Sequence, residues 1–290
     1  MSNPGDGSLR STSEVDAGYT REVSGWAAFI EHAPADDHAV QVYDDVGDLA
    51  RSVATFLAAG FASGAPAVVI ATDNHWPHFA EELEARGWDP AELERTGRLC
   101  RADAGQLLNA FMEDGLPSPE RFEQVVGALI DEASSRFPGH TVRAFGEMVD
   151  VLWRRREQQA ALAVEELWRE LSERRSFALL CGYHLDIFDL RVQRDVLPAI
   201  FHAHSHAKPA ADPPRLAAAV DQALAEVVGP VEAANIYLDV ASNVAKDSLP
   251  RAQAVLGWLS TTDSPIAARV LERARSNYAR LRGRRALTAF

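Results

Sequence analysis

Seven residues of this chain have the types needed to recognise a small molecule: His38, Tyr43, His75, Arg143, Glu147, Tyr183 and His184. Glu147 is the most telling. It follows Val142-Arg143-Ala144-Phe145-Gly146, an apolar run that a glycine ends, so its carboxylate stands at the carboxyl end of a buried strand. A carboxylate there is costly unless a cation or a donor meets it. Arg143 is the candidate cation if the strand breaks before Glu147; in a continuous strand the two lie about 13 Å apart on one face. A structural ion pair or a helix cap is the alternative role for Glu147. Tyr43, His75, Tyr183 and His184 follow other apolar runs and would bring aromatic and titratable groups to the same end of a sheet, as a small-molecule pocket requires. His38 and His75 flank the first two of these runs, and for each the alternative is a hydrogen-bonded structural histidine.

Five apolar runs must position these groups. His38–Tyr43 reads as a strand, followed by a helix with the apolar stripe Leu49, Val53, Phe56, Leu57 and Gly60, capped by the aspartates Asp44, Asp45 and Asp48. Ala67–Thr72 is apolar throughout, as in buried parallel strands. A helix near Phe79–Arg86, a weaker strand at Leu99–Ala102, helices from Ala104 and over 119–136, the strand at 141–146, a long helix over 158–174 and a strand at Phe177–Cys181 complete the alternation. Strands spaced by helices at this interval predict an α/β fold, a three-layer and mainly parallel sheet.

The organisation reads as four parts: a flexible N-terminal segment with a short helix (1–33), an α/β domain (34–206), a proline-rich linker (207–214) and a small all-α C-terminal domain (215–290). Turn signals at Gly229-Pro230, Pro250 and Ser264-Pro265 divide the last part into helices.

Several chemistries are excluded. The turn after the first strand, Tyr43-Asp44-Asp45-Val46-Gly47-Asp48, has one glycine, no lysine and three carboxylates. A phosphate loop needs glycines and a lysine there, and the acids would repel a triphosphate. No nucleophile elbow, dinucleotide fingerprint or His-Glu-x-x-His occurs, so a non-enzyme without cofactors is expected. No metal ligand set is read either. His202, His204 and His206 would place only two imidazoles on one helical face. Cys100 and Cys181 read as small apolar residues on strands, and Trp153 and Trp168 as core.

Several motifs occur together in order: Arg143-Ala144-Phe145-Gly146-Glu147-Met148-Val149-Asp150, then Leu152-Trp153, Glu165-Glu166-Leu167-Trp168 and Leu180-Cys181-Gly182-Tyr183. Asp103-Ala104, Phe111-Met112, Asp114-Gly115 and Arg121-Phe122 precede them. This set resembles the MEDS sensory domain, found in a dichloromethane-responsive repressor and in bacterial sensor kinases, over about residues 34–206. The resemblance implies a degenerate RecA-like fold whose P-loop is lost, and a ligand that is a hydrocarbon derivative or related metabolite. It also implies that His204-Ser205 closes the domain. Where family members often carry glycine and asparagine after the Leu-Trp pair, this chain has Arg154-Arg155-Arg156-Glu157.

The formal net charge of −13 argues against a nucleic-acid partner, although Arg269–Arg285 holds seven arginines against one acid. Two cysteines and a polar start without an apolar core suit a soluble cytoplasmic protein with no membrane contact. The expected role is sensing in signal transduction or transcriptional regulation: a small molecule binds at the strand ends, and the C-terminal helices pass the change to a protein partner or a second copy. A protein-interaction scaffold with an inert sheet, and a nucleotide-binding regulator without hydrolysis, are the alternatives.

Overall fold

A computed structural model describes residues 26–243 and 249–287, with side chains to 281. The flexible N-terminal segment expected from the sequence lies, up to residue 25, outside the described residues, and the arginines at 282, 284 and 285 lie outside the described side chains. Six strands form one sheet: β1 (His38–Tyr43), β2 (Ala67–Ala71), β3 (Leu99–Asp103), β6 (Val142–Gly146), β7 (Phe177–His184) and β8 (His206–Lys208). A separate hairpin holds β4 (Met112–Glu113) and β5 (Leu116–Pro117). Its turn residues Asp114 and Gly115 both have positive φ, 49° and 83°, which suits a tight two-residue turn. The main sheet runs β3-β2-β6-β7-β1-β8 and every pair in it is parallel. β8 takes up the first two residues, 207 and 208, of the segment expected to be a linker, and the helix from Pro213 takes up the last two.

Strand alternation divides the sheet into two faces. Val40, Val42, Val68, Ile70, Val142, Ala144, Leu179, Cys181 and Tyr183 belong to one core, with residues of the helices over 104–111, 119–136, 148–154 and 158–172. Ala39, Tyr43, Ala67, Val69, Phe145, Ala178 and Leu180 belong to the other, with the helices over 26–32, 46–62 and 76–84. The result is the expected three layers. One departure interrupts the helix over 119–136, where Glu123–Gly127 forms a π turn.

Four helices follow: Pro213–Val228, Pro230–Asn243, Arg251–Thr262 and Ser264–Leu287. They break at the proline and glycine signals read from the sequence; Gly229 takes φ 87°, a value that favours glycine. They are not a detached unit. Leu216, Leu224, Val255, Leu259, Val270 and Tyr278 belong to the same apolar core as the first sheet face. The contact is made through the loop after β7 and the π-helical turn Val192–Val196 that follows it: Arg275 pairs with Asp186 at 2.7 Å, Phe188 packs on Tyr278 at 5.6 Å, and the Gln253 amide donates to Gln193 Oε1 at 2.6 Å.

Candidate functional site

Chain connections place the site. The helix after β1 and the one after β2 pack on one face, while those after β6 pack on the other. The neighbouring ends of β2 and β6, and of β1 and β7, therefore send their chains to opposite sides, and a crevice opens between them.

At that crevice β6 becomes a helix with no intervening loop. The Glu147 N–H still donates to Ile70 O at 3.0 Å, extending the strand pairing, while its carbonyl accepts from Val151 N at 3.0 Å and starts the helix Met148–Arg154. Its carboxylate is completely buried. Oε2 accepts the Thr72 N–H at 2.8 Å and Oε1 meets His75 Nδ1 at 2.5 Å. This is how a buried carboxylate is tolerated: two donors from the end of β2 replace water.

Asp150, one helical turn on, repeats the arrangement toward β1 and β7. It too is fully buried. Oδ1 accepts the His184 N–H at 2.8 Å, and Oδ2 accepts the Tyr43 hydroxyl at 3.2 Å and pairs with Arg154 at 3.0 Å. Burial pushes the Asp150 carboxyl above its usual range, against the pull of Arg154 and the His184 N–H. Burial, then the Asp150 and Glu147 carboxylates, also hold the Tyr43 phenol far above its usual range, so it stays a donor. The Tyr43 ring stands edge-on to His75 at 6.0 Å and to His184 at 5.4 Å. Two carboxylates thus tie the ends of four strands together.

Tyr43, His75, Glu147 and His184 are brought together; Arg143, His38 and Tyr183 are not among them. Arg143 turns to the other end of β6 and meets no carboxylate. Its guanidinium donates to Ile30 O at 2.7 Å, Phe56 O at 2.6 Å and Glu31 O at 2.6 Å, stapling the helix over 26–32 to Val46–Ala62. Burial pulls it down to about 10. A Cβ at Gly60 would come within 2.5 Å of Arg143 Cδ, so a glycine there admits the guanidinium stem. Cation and carboxylate are separated because Arg143 stands near the start of β6 and Glu147 just past its end, and each meets the groups at its own end.

His38 and Tyr183 lie on the opposite face, in a second buried cluster. His38 Nε2 faces Cys181 Sγ at 3.2 Å and Glu165 Oε2 at 3.7 Å; His204 Nε2 faces Glu165 Oε1 at 3.8 Å; the Tyr183 hydroxyl donates to Glu165 Oε1. Of the expected triple, only His204 enters it. The helix ends at His202, Ser205 is bonded to the His38 backbone, and His206 pairs with Asp37 at 2.9 Å. The three histidines therefore share no helical face. Trp168 packs between Phe122 and Phe177 at 5.5 and 5.8 Å, in the core.

Two acids escaped the sequence reading. Asp150 stands three residues after Glu147, the spacing that puts both on one face of a helix starting at 148; that helix was not anticipated. Glu165 entered the sequence reading only within the motif Glu165-Glu166-Leu167-Trp168; helical phase turns it inward and leaves Glu166 exposed.

The void at the strand ends is small, about 10 Å³, and is bounded by Val42, Tyr43, Leu185, Ile187, Pro209 and Tyr278. Wider grooves, about 510 and 250 Å³, lie by β3. No helix among the described residues is long and apolar enough to cross a membrane.

No curated protein matches the chain. A scan of protein families matches residues 37–199 to MEDS, the MEthanogen/methylotroph, DcmR Sensory domain. The match spans the parallel sheet through β7 together with Glu147, Asp150 and Glu165, and it covers more than half of the 290 residues. The chain belongs to the MEDS sensory-domain family.

Proposed function

We propose that the protein is a non-catalytic sensory regulator, in which a small molecule binds beside Tyr43 and His184 and changes the seating of the C-terminal helices. The observation that carries this reading is the loop after β7. Its first residues leave the Tyr43–Asp150–His184 network, and the next ones, Asp186, Phe188 and Gln193, are those the C-terminal helices hold.

The lining suits a compact apolar ligand. Val42, Leu185, Ile187, Pro209 and the Tyr278 ring surround the void, and Tyr43 and Asp44 offer polar groups at its edge. Family membership supports a hydrocarbon derivative as the class. A void of about 10 Å³ holds roughly one water, so a ligand must widen it, and widening moves the loop away from Tyr278. A ligand that binds the widened state better shifts the population toward it. No group in the crevice is an activated nucleophile, and the turn after β1 carries acids where a phosphate loop carries lysine; the sheet is read as RecA-like with that loop lost. The helix Pro230–Asn243 exposes Val231 and Leu238, seven residues apart on one face, as a contact for a protein partner or a second copy.

The test is a thermal-shift screen of the full chain against halogenated and short-chain hydrocarbons, aromatic metabolites and nucleotides. A ligand at a hundred times its Kd adds about 2.7 kcal/mol. The expected hit is apolar, disappears in Leu185→Trp, and raises hydrogen exchange over 185–196 and 264–281. A cooperative melt that no compound shifts would overturn the reading; a shift by ATP alone would favour a nucleotide regulator.

A further inference from the structure

The second buried cluster contains a conflict that hydrogen bonding does not resolve. His204 Nδ1 lies 2.6 Å from Ile200 O. A carbonyl only accepts, so Nδ1 carries a proton, and in the neutral ring Nε2 presents its lone pair inward. It presents it toward a carboxylate. Glu165 Oε2 and His204 Nε2 are both buried and both lack a hydrogen-bond partner. Two buried acceptors without a hydrogen-bond donor are costly. Tyr183 spends its proton on the other carboxylate oxygen.

The spacing is what a cation would need. Among the described residues, one ligand atom each from His38, Glu165, Cys181 and His204 all lie within 4.8 Å of one another. Three of the six separations are 3.2, 3.7 and 3.8 Å. Four donors bound at 2.0–2.3 Å around a tetrahedral ion stand roughly 3.3–3.8 Å apart. At 3.7 and 3.8 Å the imidazole–carboxylate contacts are too long to be hydrogen bonds. The charges close as well, since one thiolate and one carboxylate neutralise a divalent ion.

We propose that His38, Glu165, Cys181 and His204 bind a transition-metal ion of the zinc(II) class. Two imidazole nitrogens, a thiolate and a single carboxylate oxygen would complete a tetrahedral shell. Tyr183 and the Ile200 carbonyl would act as outer partners that fix the carboxylate and the His204 tautomer. With four protein donors and no position left for substrate, the site is structural. It would clamp the start of β1, the middle of β7, the helix Gln158–Ser172 and the chain entering β8. Binding balances simply: the ion enters and the Cys181 thiol releases one proton to solvent.

The test is metal analysis of the full, untagged chain, as purified without chelator and after stripping and reloading with zinc(II) or cobalt(II). The expected result is one equivalent per chain. Cobalt should give a thiolate-to-metal charge-transfer band in the near ultraviolet and the strong visible bands of a tetrahedral ion. Cys181→Ser should abolish the charge-transfer band, and Glu165→Gln should weaken zinc binding at least about tenfold. Cys100→Ser, outside the cluster, should leave metal content unchanged. Glu165→Gln keeps an acceptor for Tyr183, so it carries the test if Cys181→Ser does not fold. Substoichiometric metal in a folded, reloaded protein, or bound metal that neither variant reduces, would overturn the proposal.

Discussion

The two faces of one sheet carry two buried polar clusters that solve burial in opposite ways. At the strand ends, every oxygen of Glu147 and Asp150 meets a donor from the chain itself: Thr72, His75, His184, Tyr43 and Arg154. On the other face, Glu165 and His204 keep a bare acceptor each. A satisfied network holds its elements in place; an unsatisfied one leaves polar atoms bearing the cost of burial. A buried carboxylate is thus read by counting its donors, since burial alone marks both sites equally.

The sharpest way to break this contrast is to remove one carboxylate from each cluster. Glu147→Leu leaves the Thr72 N–H and the His75 ring without their acceptor and should cost about 3 kcal/mol in denaturant unfolding. Glu165→Gln, in metal-free protein, keeps the Tyr183 acceptor and turns the bare oxygen into a donor. Its stability should stay within about 1 kcal/mol of the parent chain. Equal losses at both positions would erase the distinction between the clusters.

Arg143 sharpens the boundary of the strand-end site. Arg143→Met removes three hydrogen bonds to carbonyls but also relieves a buried cation, so the net loss should be about 2 kcal/mol. Proteolysis should then open the chain near the helix over 26–32, with ligand response retained. Loss of the ligand response in a folded variant would return Arg143 to the site.

The smallest effect is electrostatic. The Asp150 carboxyl is raised in the folded chain, so above its unfolded pKa of about 3.9 the folded state binds more protons than the unfolded one. Its contribution to stability is therefore full below that pH and is lost as pH rises through the raised folded value. Asp150→Asn should remove this slope. The difference between the two stability curves should fall as pH rises from the unfolded pKa through the raised folded one and be flat above it; a difference that rises would mean that Arg154 and Tyr43 outweigh burial.

Much of the fold was legible because its signals are local. The apolar runs at 38–43, 67–71 and 142–146 fill strands buried on both faces, and Gly64, Gly87 and Gly229 stand where positive φ is required. The helix at 148–154 was missed because it starts with no loop or cap, straight from Glu147. Alternation could have separated His38 and Tyr183 from Tyr43 and His184, since even and odd positions of β1 and β7 face opposite cores. Grouping all four at one cleft used only their nearness to strand ends.

The sequence by itself determined the alternation of strands and helices, the acidic turn after β1 that lacks the lysine of a phosphate loop, and the carboxylate at the end of β6, because periodicity, turn chemistry and charge are properties of short segments. The tertiary structure alone decided which groups meet. His38 and Cys181 are 143 residues apart, as Tyr43 and Asp150 are 107, and only strand order and helical phase bring such pairs within bonding distance. The same strand order leaves Arg143 and Glu147, four residues apart, with different partners.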